Sequence, residues 1–409
     1  MLGHWLVAEL YLADDEILER SNLGQVPSMW PLTWLFMVMP LFFFVGGWSN
    51  RRSWESIRAK GGSYGAFLDR RVQRLLGPTL LYLGFLFAAA VLIRLWPGML
   101  GGRVTHQTAV LTTQPLWFLG IYVAVIALTP ATLAAHKRWG WGAAAALAAT
   151  VVAVDVTRFA WGVEALGLLN VLGVWLLVHQ LGYLDADGRI GRGTGWVFLV
   201  GGYGALSLLV ALGPYPARMV GVTGDEWSNA HPPNLAMLAL ACGQIGAVEV
   251  LRPWLARTLR RPRWWLAVVL VNTVIMSLYL WHQVAHMVAA GILLPLGYPV
   301  LTPGSWAWWA ATVGMVLASG AVLVLIVLLV GPAERRPPPT PMPADRWRSV
   351  AAAFAVVSAG VGLLALAGTS VTRLAETTAV LGPLRASPLL GLLLVVASSA
   401  AFALLRRRR

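Results

Sequence analysis

Charge is what this chain has least of. Asp, Glu, Lys and Arg together make up 12% of its 409 residues, against roughly a quarter in a soluble globular domain. Acidic groups are the scarcer half, 17 against 31 Lys and Arg, for a formal net charge of +14. Cysteine is nearly missing. Cys242 stands alone, so an intrachain disulfide is excluded and the redox character of the compartment cannot be read from the chain. There is no Walker A loop, no dinucleotide glycine fingerprint and no GxSxG elbow, which argues against an ATP-driven pump and a serine hydrolase. A cleavable leader is not expected either, because the short apolar start from Leu2 to Leu12 has no basic n-region and no small-residue cleavage site.

What the chain has in abundance is apolar length. Hydrophobic residues make up 58% of it, in long runs with the charges clustered between them. A helix needs roughly 20 apolar residues to cross the hydrocarbon core, and several runs reach that. Closed helices are then the spanning element, since the short alternating segments of a strand barrel do not occur. The expected fold is all-α, a polytopic transmembrane helical bundle of about ten core spans plus two C-terminal spans. The basic excess does not call for nucleic acid as a partner, because cytoplasmic loops of such proteins are basic.

The spans are predicted near 1–13, 29–48, 75–96, 115–135, 140–156, 164–183, 194–213, 234–251, 264–290, 306–330, 350–368 and 388–405. With the first end inside, segments 49–74, 136–139, 184–193, 252–263, 331–349 and 406–409 carry most of the Lys and Arg. The opposite loops hold only Arg20, Arg103, Arg158, Arg218, Arg373 and Arg385. That asymmetry predicts a multi-pass protein of the cell membrane with cytoplasmic N- and C-termini, and the acidic cluster Asp14, Asp15, Glu16 and Glu19 outside. By composition the chain divides into a transmembrane domain at 1–330, a Pro- and Arg-rich cytoplasmic linker at 331–349 and a two-span extension at 350–409. The terminal run Arg406 to Arg409 reads as an anchor at an anionic leaflet.

Few residues are placed to do chemistry. His4 lies in the first apolar segment, MLGHWLVAEL, where an ionisable group is a functional candidate by default. A neutral imidazole there can take the proton of an acceptor hydroxyl as its oxygen attacks an acyl carbonyl. The plainer reading is a packed or interfacial histidine. Arg70, Arg71 and Arg74 stand at the mouth of the third span, with Arg70 and Arg74 on one face if the helix has begun there. Guanidinium forks bind phosphate and suit a phosphorylated cytoplasmic donor, while ordinary positive-inside bias explains the same residues without a ligand.

His282 and His286, in HQVAH, have the i, i+4 spacing of zinc ligands. A metalloprotease needs Glu after the first His, and Gln283 stands there, so no metal is expected. His231, in NAHPPNL, is a candidate for an outer cavity. His106, His136 and His179 read as interfacial or structural, and Asp155 and Arg158 as an i, i+3 pair. Trp30, Trp34, Trp117, Trp161 and Trp281 fit an aromatic belt or core packing, with stacking on a sugar as the functional alternative.

Several stretches are familiar together: GHW at 3–5, PLTWLFMVMPLFFFVGGWSNRRSW at 31–54, FLDRRVQRLLGP at 67–78, PLWFLGIYVAV at 115–125, PPNLAMLALA at 232–241 and SLYLWH at 277–282. In this order the chain resembles the acyltransferase 3 family of polytopic membrane acyltransferases, particularly its actinobacterial members. The resemblance implies transfer of an acyl group from acyl-coenzyme A, a co-substrate rather than a bound cofactor, to a hydroxyl of a carbohydrate, glycolipid or similar exported acceptor. It implies that His4 is the catalytic histidine of the first span and that Arg70, Arg71 and Arg74 bind the donor. It also makes Trp117 and His282 part of the body lining, while the last two spans receive no chemistry.

One departure stands out. Family members carry an arginine about three helical turns before that histidine, and this sequence begins three residues before it. Either the start lies upstream or half of the first helix is lost, which would leave the site incomplete. Two other classes remain at this stage. An exporter of an acylated glycolipid would use intramembrane acidic groups, of which Glu249 is the one late-span example. A non-catalytic scaffold for an envelope-building complex would use none.

Overall fold

The structure, a computed structural model, describes residues 2–13, 16–22, 26–96, 106–221, 228–299, 301–334, 342–371, 373, 375–381 and 384–407. Asp14 and Asp15 of the acidic cluster, Arg103, Arg335, Arg336, Arg408, Arg409 and the side chains of Glu16 and His106 lie outside the described residues. The chain is a polytopic helical bundle. Among the described residues, ten helices are long and apolar enough to cross a membrane, and an eleventh span is possible if one bent pair counts as a span.

Two compact units are present, one made of Met1–Pro27, Ser63–Ala124 and Val269–Arg409, the other of Ser28–Gly62 and Val125–Val268. The first unit begins with α1 (Leu2–Val7) and an antiparallel hairpin of β1 (Ala8–Ala13) and β2 (Glu16–Ser21). This corrects the predicted span at 1–13. The segment from Ala8 alternates, with Leu10 turned toward the core and Glu9 set opposite Arg20 in the neighbouring strand. A period of two pays out as a strand, not as a membrane helix. Leu10 and Ile17 pack with Leu111, Ala289, Ala290, Leu294 and Met315.

The 32-residue helix Tyr64–Leu95, capped by the Ser63 hydroxyl on the Ala66 N–H, starts about three turns before the predicted third span. The predicted ninth span, 264–290, is broken. Helices Pro262–Asn272 and Ile275–Leu293 meet at 69°. Trp306–Glu334, Arg346–Leu366 and Pro388–Arg406 complete the unit's long helices, so helix enters the predicted linker from both sides.

In the second unit the helices Met39–Ala59 and Asn170–Ala186 touch through glycine. A Cβ on Gly47 would stand 2.0 Å from the His179 carbonyl oxygen, and one on Gly182 would stand 2.1 Å from that of Phe44. Backbone cannot yield as a side-chain tip can, and small residues at such crossings let lipid-embedded helices approach closely. Gly182→Val is therefore expected to destabilise the protein by about 3 kcal/mol, read as a lower midpoint of thermal unfolding in detergent. An unchanged midpoint would mean that the two helices are not in contact there.

Several polar groups of this unit bond one another. His179 bonds Asn50, and His136 bonds Gln180 and Asp187, which also pairs with Arg51. Asp155 and Arg158, predicted as a pair, interact electrostatically, and each also has hydrogen-bond partners elsewhere in the unit. Asp155 accepts from Asn170, Tyr215 and the Leu235 N–H, because these reach it across the unit, while Arg158 turns to Glu164 at 2.6 Å. Glu249 is buried against Arg252, which also holds Asp185. An ion pair of this kind meets its desolvation by pairing, so Glu249 is not the solitary intramembrane carboxylate an exporter would use.

Candidate functional site

The helix α1 is too short to hold its place by its own hydrogen bonds, and three side-chain contacts fix it within the first unit. The Trp5 indole N–H donates to the His282 carbonyl oxygen at 3.0 Å. Its ring lies over His286, with centroids 6.1 Å apart and planes 18° from parallel. The Asn22 amide donates to the Leu6 carbonyl oxygen at 2.9 Å, satisfying a carbonyl at the helix end.

That docking sets His4 against His282. Their rings stack with centroids 5.0 Å apart, and His4 Nδ1 lies 2.7 Å from His282 Nε2. The other nitrogen of His282, Nδ1, faces the Tyr279 carbonyl oxygen one turn back at 2.5 Å. A carbonyl oxygen only accepts, so His282 Nδ1 carries the hydrogen. A neutral imidazole has one N–H, so His282 Nε2 accepts and His4 Nδ1 donates to it. His4 is thereby left with a lone pair on Nε2. His282 is 1% exposed, whereas His4 is only partly buried. Tyr279 is held in turn by its hydroxyl, which donates to the Pro115 carbonyl oxygen at 2.6 Å.

Beside this pair is a small cavity of about 20 Å³, room for one water. Its polar lining comes from Glu9, Asn22, His286, Tyr298, Trp308 and Thr312, with Trp5 as its wall toward His282. Glu9 accepts two bonds from Arg20, at 3.0 and 2.7 Å, and one from the Trp308 indole at 3.2 Å. Burial, then the Glu9 carboxylate, push the Tyr298 hydroxyl up to about 12, so it remains a hydrogen-bond donor at neutral pH. His286 Nδ1 bonds Ser319, whose own hydroxyl donates to the Met315 carbonyl oxygen. His282 and His286 thus serve different partners on either side of Trp5.

The arginines lie within about the first three turns of the helix Tyr64–Leu95, so the helix has begun where Arg70 and Arg74 stand. Arg70 and Arg74 are exposed, one turn apart. Arg71 points elsewhere and reaches the Tyr122 hydroxyl at 3.4 Å. From Tyr122 an aromatic column leads to the histidines. Tyr122 stacks on Phe118 at 5.5 Å, Phe118 meets Tyr279 edge to face at 5.5 Å, and Tyr279 lies 6.1 Å from His282. Trp117 packs beside Phe118 at 6.4 Å. Trp281, next to His282, rests on Tyr82 and Phe85. From Arg74 to Phe85 along the helix is about 16 Å at 1.5 Å per residue.

The structure therefore brings His4 together with His282 and joins that pair to Arg71 through aromatic rings. His231 belongs to the second unit, where it is exposed in a turn whose backbone pairs with Ser228. Tyr279, Glu9, Asn22 and Trp308 were not singled out in the sequence. Glu9 and Arg20 carry a signal in retrospect, as opposite charges that meet across a hairpin. Asn22 and Trp308 carry none.

The profile of the acyltransferase 3 family, described as an acyltransferase domain, matches residues 1–329. No curated protein and no solved structure matches the chain.

Proposed function

Since the chain belongs to the acyltransferase 3 family, we propose that it is a membrane-bound O-acyltransferase that moves an acyl group from acyl-coenzyme A to a hydroxyl of a carbohydrate, glycolipid or similar exported acceptor. One observation carries this reading. The hydrogen bond from His4 Nδ1 to His282 Nε2 leaves His4 Nε2 as an available base.

In the reaction the acceptor hydroxyl gives its proton to His4 Nε2 while its oxygen attacks the thioester carbonyl. The resulting imidazolium keeps its Nδ1–H on His282, which disperses the new charge without a buried carboxylate. Collapse of the tetrahedral intermediate breaks the carbon–sulfur bond, and the departing sulfur takes the proton back from His4. The products are the acyl ester and free coenzyme A. His282 is a positioning residue, since it acts through His4.

Arg70, Arg71 and Arg74 hold the donor's phosphates. The column of Tyr122, Phe118 and Tyr279 guides the thioester arm over the distance to His4, with Trp117 beside it. The acceptor approaches from the side of Glu9, Asn22, His286 and Trp308, where carboxylate, amide and indole groups suit a polyol. His231 is kept as a lining residue of the outer face. No bound cofactor is needed, and the partners are the donor, the acceptor and membrane lipid.

The protein resides in the plasma membrane with a cytoplasmic C-terminus. Among the described residues, counting the bent pair as one span gives eleven, an odd number. Keeping the basic loops inside then puts α1 and its hairpin on the outer side, in place of the cytoplasmic N-terminus predicted from twelve spans.

The test is to supply membranes carrying the chain with radiolabelled acetyl- or succinyl-coenzyme A and an envelope extract. Label is expected in a glycan or lipid as a base-labile ester. No label from either donor, with the protein inserted and folded, would count against the acyltransferase reading.

A further inference from the structure

The last two long helices, Arg346–Leu366 and Pro388–Arg406, lie beyond the 1–329 stretch that matches the family profile. They are nevertheless packed along it. The Gly65 N–H donates to the Ser349 hydroxyl at 3.1 Å, and a Cβ on Gly65 would come within 3.1 Å of the Ser349 Cα. Further along, a Cβ on Gly120 would press on Leu364 and on the Gly360 carbonyl oxygen. The Thr113 hydroxyl donates to the Thr369 carbonyl oxygen at 2.6 Å.

At the end of this extension a charge crosses to the domain. Arg406 Nε lies 3.0 Å from both oxygens of Asp69, and Nη2 lies 2.6 Å from Oδ1. The following carbonyl, of Arg407, accepts from Arg348 at 3.3 Å and steadies the helix end. Asp69 is 3% exposed and immediately precedes Arg70 and Arg71. Arg70 and Arg74 make no ion pair among the described residues.

A carboxylate beside an arginine cluster works against a polyanion in two ways. It repels phosphate directly, and it competes for the guanidinium groups that phosphate needs. Both effects grow where the surroundings are poorly solvated. A bidentate arginine from outside the cluster cancels the carboxylate without using any of the cluster's own charges.

We propose that the C-terminal extension is a working part of the donor site, in which Arg406 neutralises Asp69 so that Arg70, Arg71 and Arg74 present their full positive charge to the phosphates of coenzyme A. The proposal rests on the reading of those arginines as donor ligands. It assigns Arg406 a positioning role in place of the simple leaflet anchor that its tetra-arginine context suggests.

The experiment measures equilibrium binding of tritiated coenzyme A, which is common to every acyl donor, to the purified full chain. Arg406→Met exposes the Asp69 charge and is expected to weaken binding about tenfold. The double variant Asp69→Asn/Arg406→Met removes both charges and should restore affinity to within about twofold of the wild type. A purely structural clasp would give the opposite, because the double variant would bind as poorly as Arg406→Met. That result overturns the proposal, as does Arg406→Met binding like the wild type.

If Arg406→Met is not recovered folded, Asp69→Asn alone decides. It keeps the packing and should bind at least as tightly as the wild type, and weaker binding overturns the idea. Arg70→Met/Arg74→Met tests the underlying reading separately. Unchanged affinity there removes the donor site itself, whereas weakened affinity with an indifferent Arg406 removes only the extension's part in it.

Discussion

Alanine at position 4 is expected to lower kcat for acyl transfer by about a hundred- to ten-thousand-fold, the range over which a positioned general base contributes. KM for the acyl donor should stay within about twofold, because uniform binding and base catalysis fall on different kinetic constants. The argument depends on His4→Ala leaving its surroundings intact. Helix α1 is fixed by the Trp5 indole on the His282 carbonyl oxygen, by Trp5 on His286 and by Asn22 on Leu6. None of these uses the imidazole of His4. Single-turnover transfer with saturating donor isolates the chemical step, and a kcat near that of the wild type would remove His4 from the reaction.

Substitution of His282 has the next largest effect on chemistry. Leucine there takes the acceptor from His4 Nδ1–H, so the hydrogen is free to move to Nε2 and block the base. A kcat loss of about thirtyfold is expected with donor KM unchanged, smaller than for the base itself because the wrong tautomer is reversible. Glutamine can return an acceptor near the Nε2 position and should recover a good part of the rate. A structural fault would spread to KM and folded yield and would not distinguish the two variants. Nitrogen-15 spectra of labelled His4 give an independent check, with Nδ1–H in the wild type and a mixture in the leucine variant. Nitrogen spectra alike in all three proteins would discard the positioning role.

Most of the bundle could be read from composition, because a lipid-facing helix must be apolar over its whole length and the basic loops break it at the expected places. Residues 141–161 and 192–212 fall almost where their hydropathy puts them. The segment 1–13 could not be read that way. Its leucines satisfy an apolar run and a period-two strand equally, and the hairpin is decided by β2 and by the core formed with Ala289, Ala290 and Met315. The break at 273–274 lacks proline or glycine, so no local signal marked it.

At the site, His4, His282 and the arginines could be singled out as ionisable groups near apolar runs. Their joining depends on contacts 278 residues apart in sequence, between His4 and His282, which no spacing rule encodes. The Asp69–Arg406 clasp is hidden for the same reason, since each residue alone looks like part of a basic cluster.

The hydrogen-bonded series of His4, His282 and the Tyr279 carbonyl carries no net charge at rest. Carrying one elementary charge across 100 mV takes about 2.3 kcal/mol, whereas a neutral group couples to the field only through its dipole and far more weakly. A base held ready by a carboxylate inside the bilayer would feel a share of that work, and its readiness would follow the voltage. This one feels little of it before the acceptor's proton arrives. On the proposed reading, the energised state of the membrane can act on an anionic donor at Arg70 and Arg74, while the imidazole that would receive the proton is almost as well prepared in a collapsed vesicle as in a polarised cell.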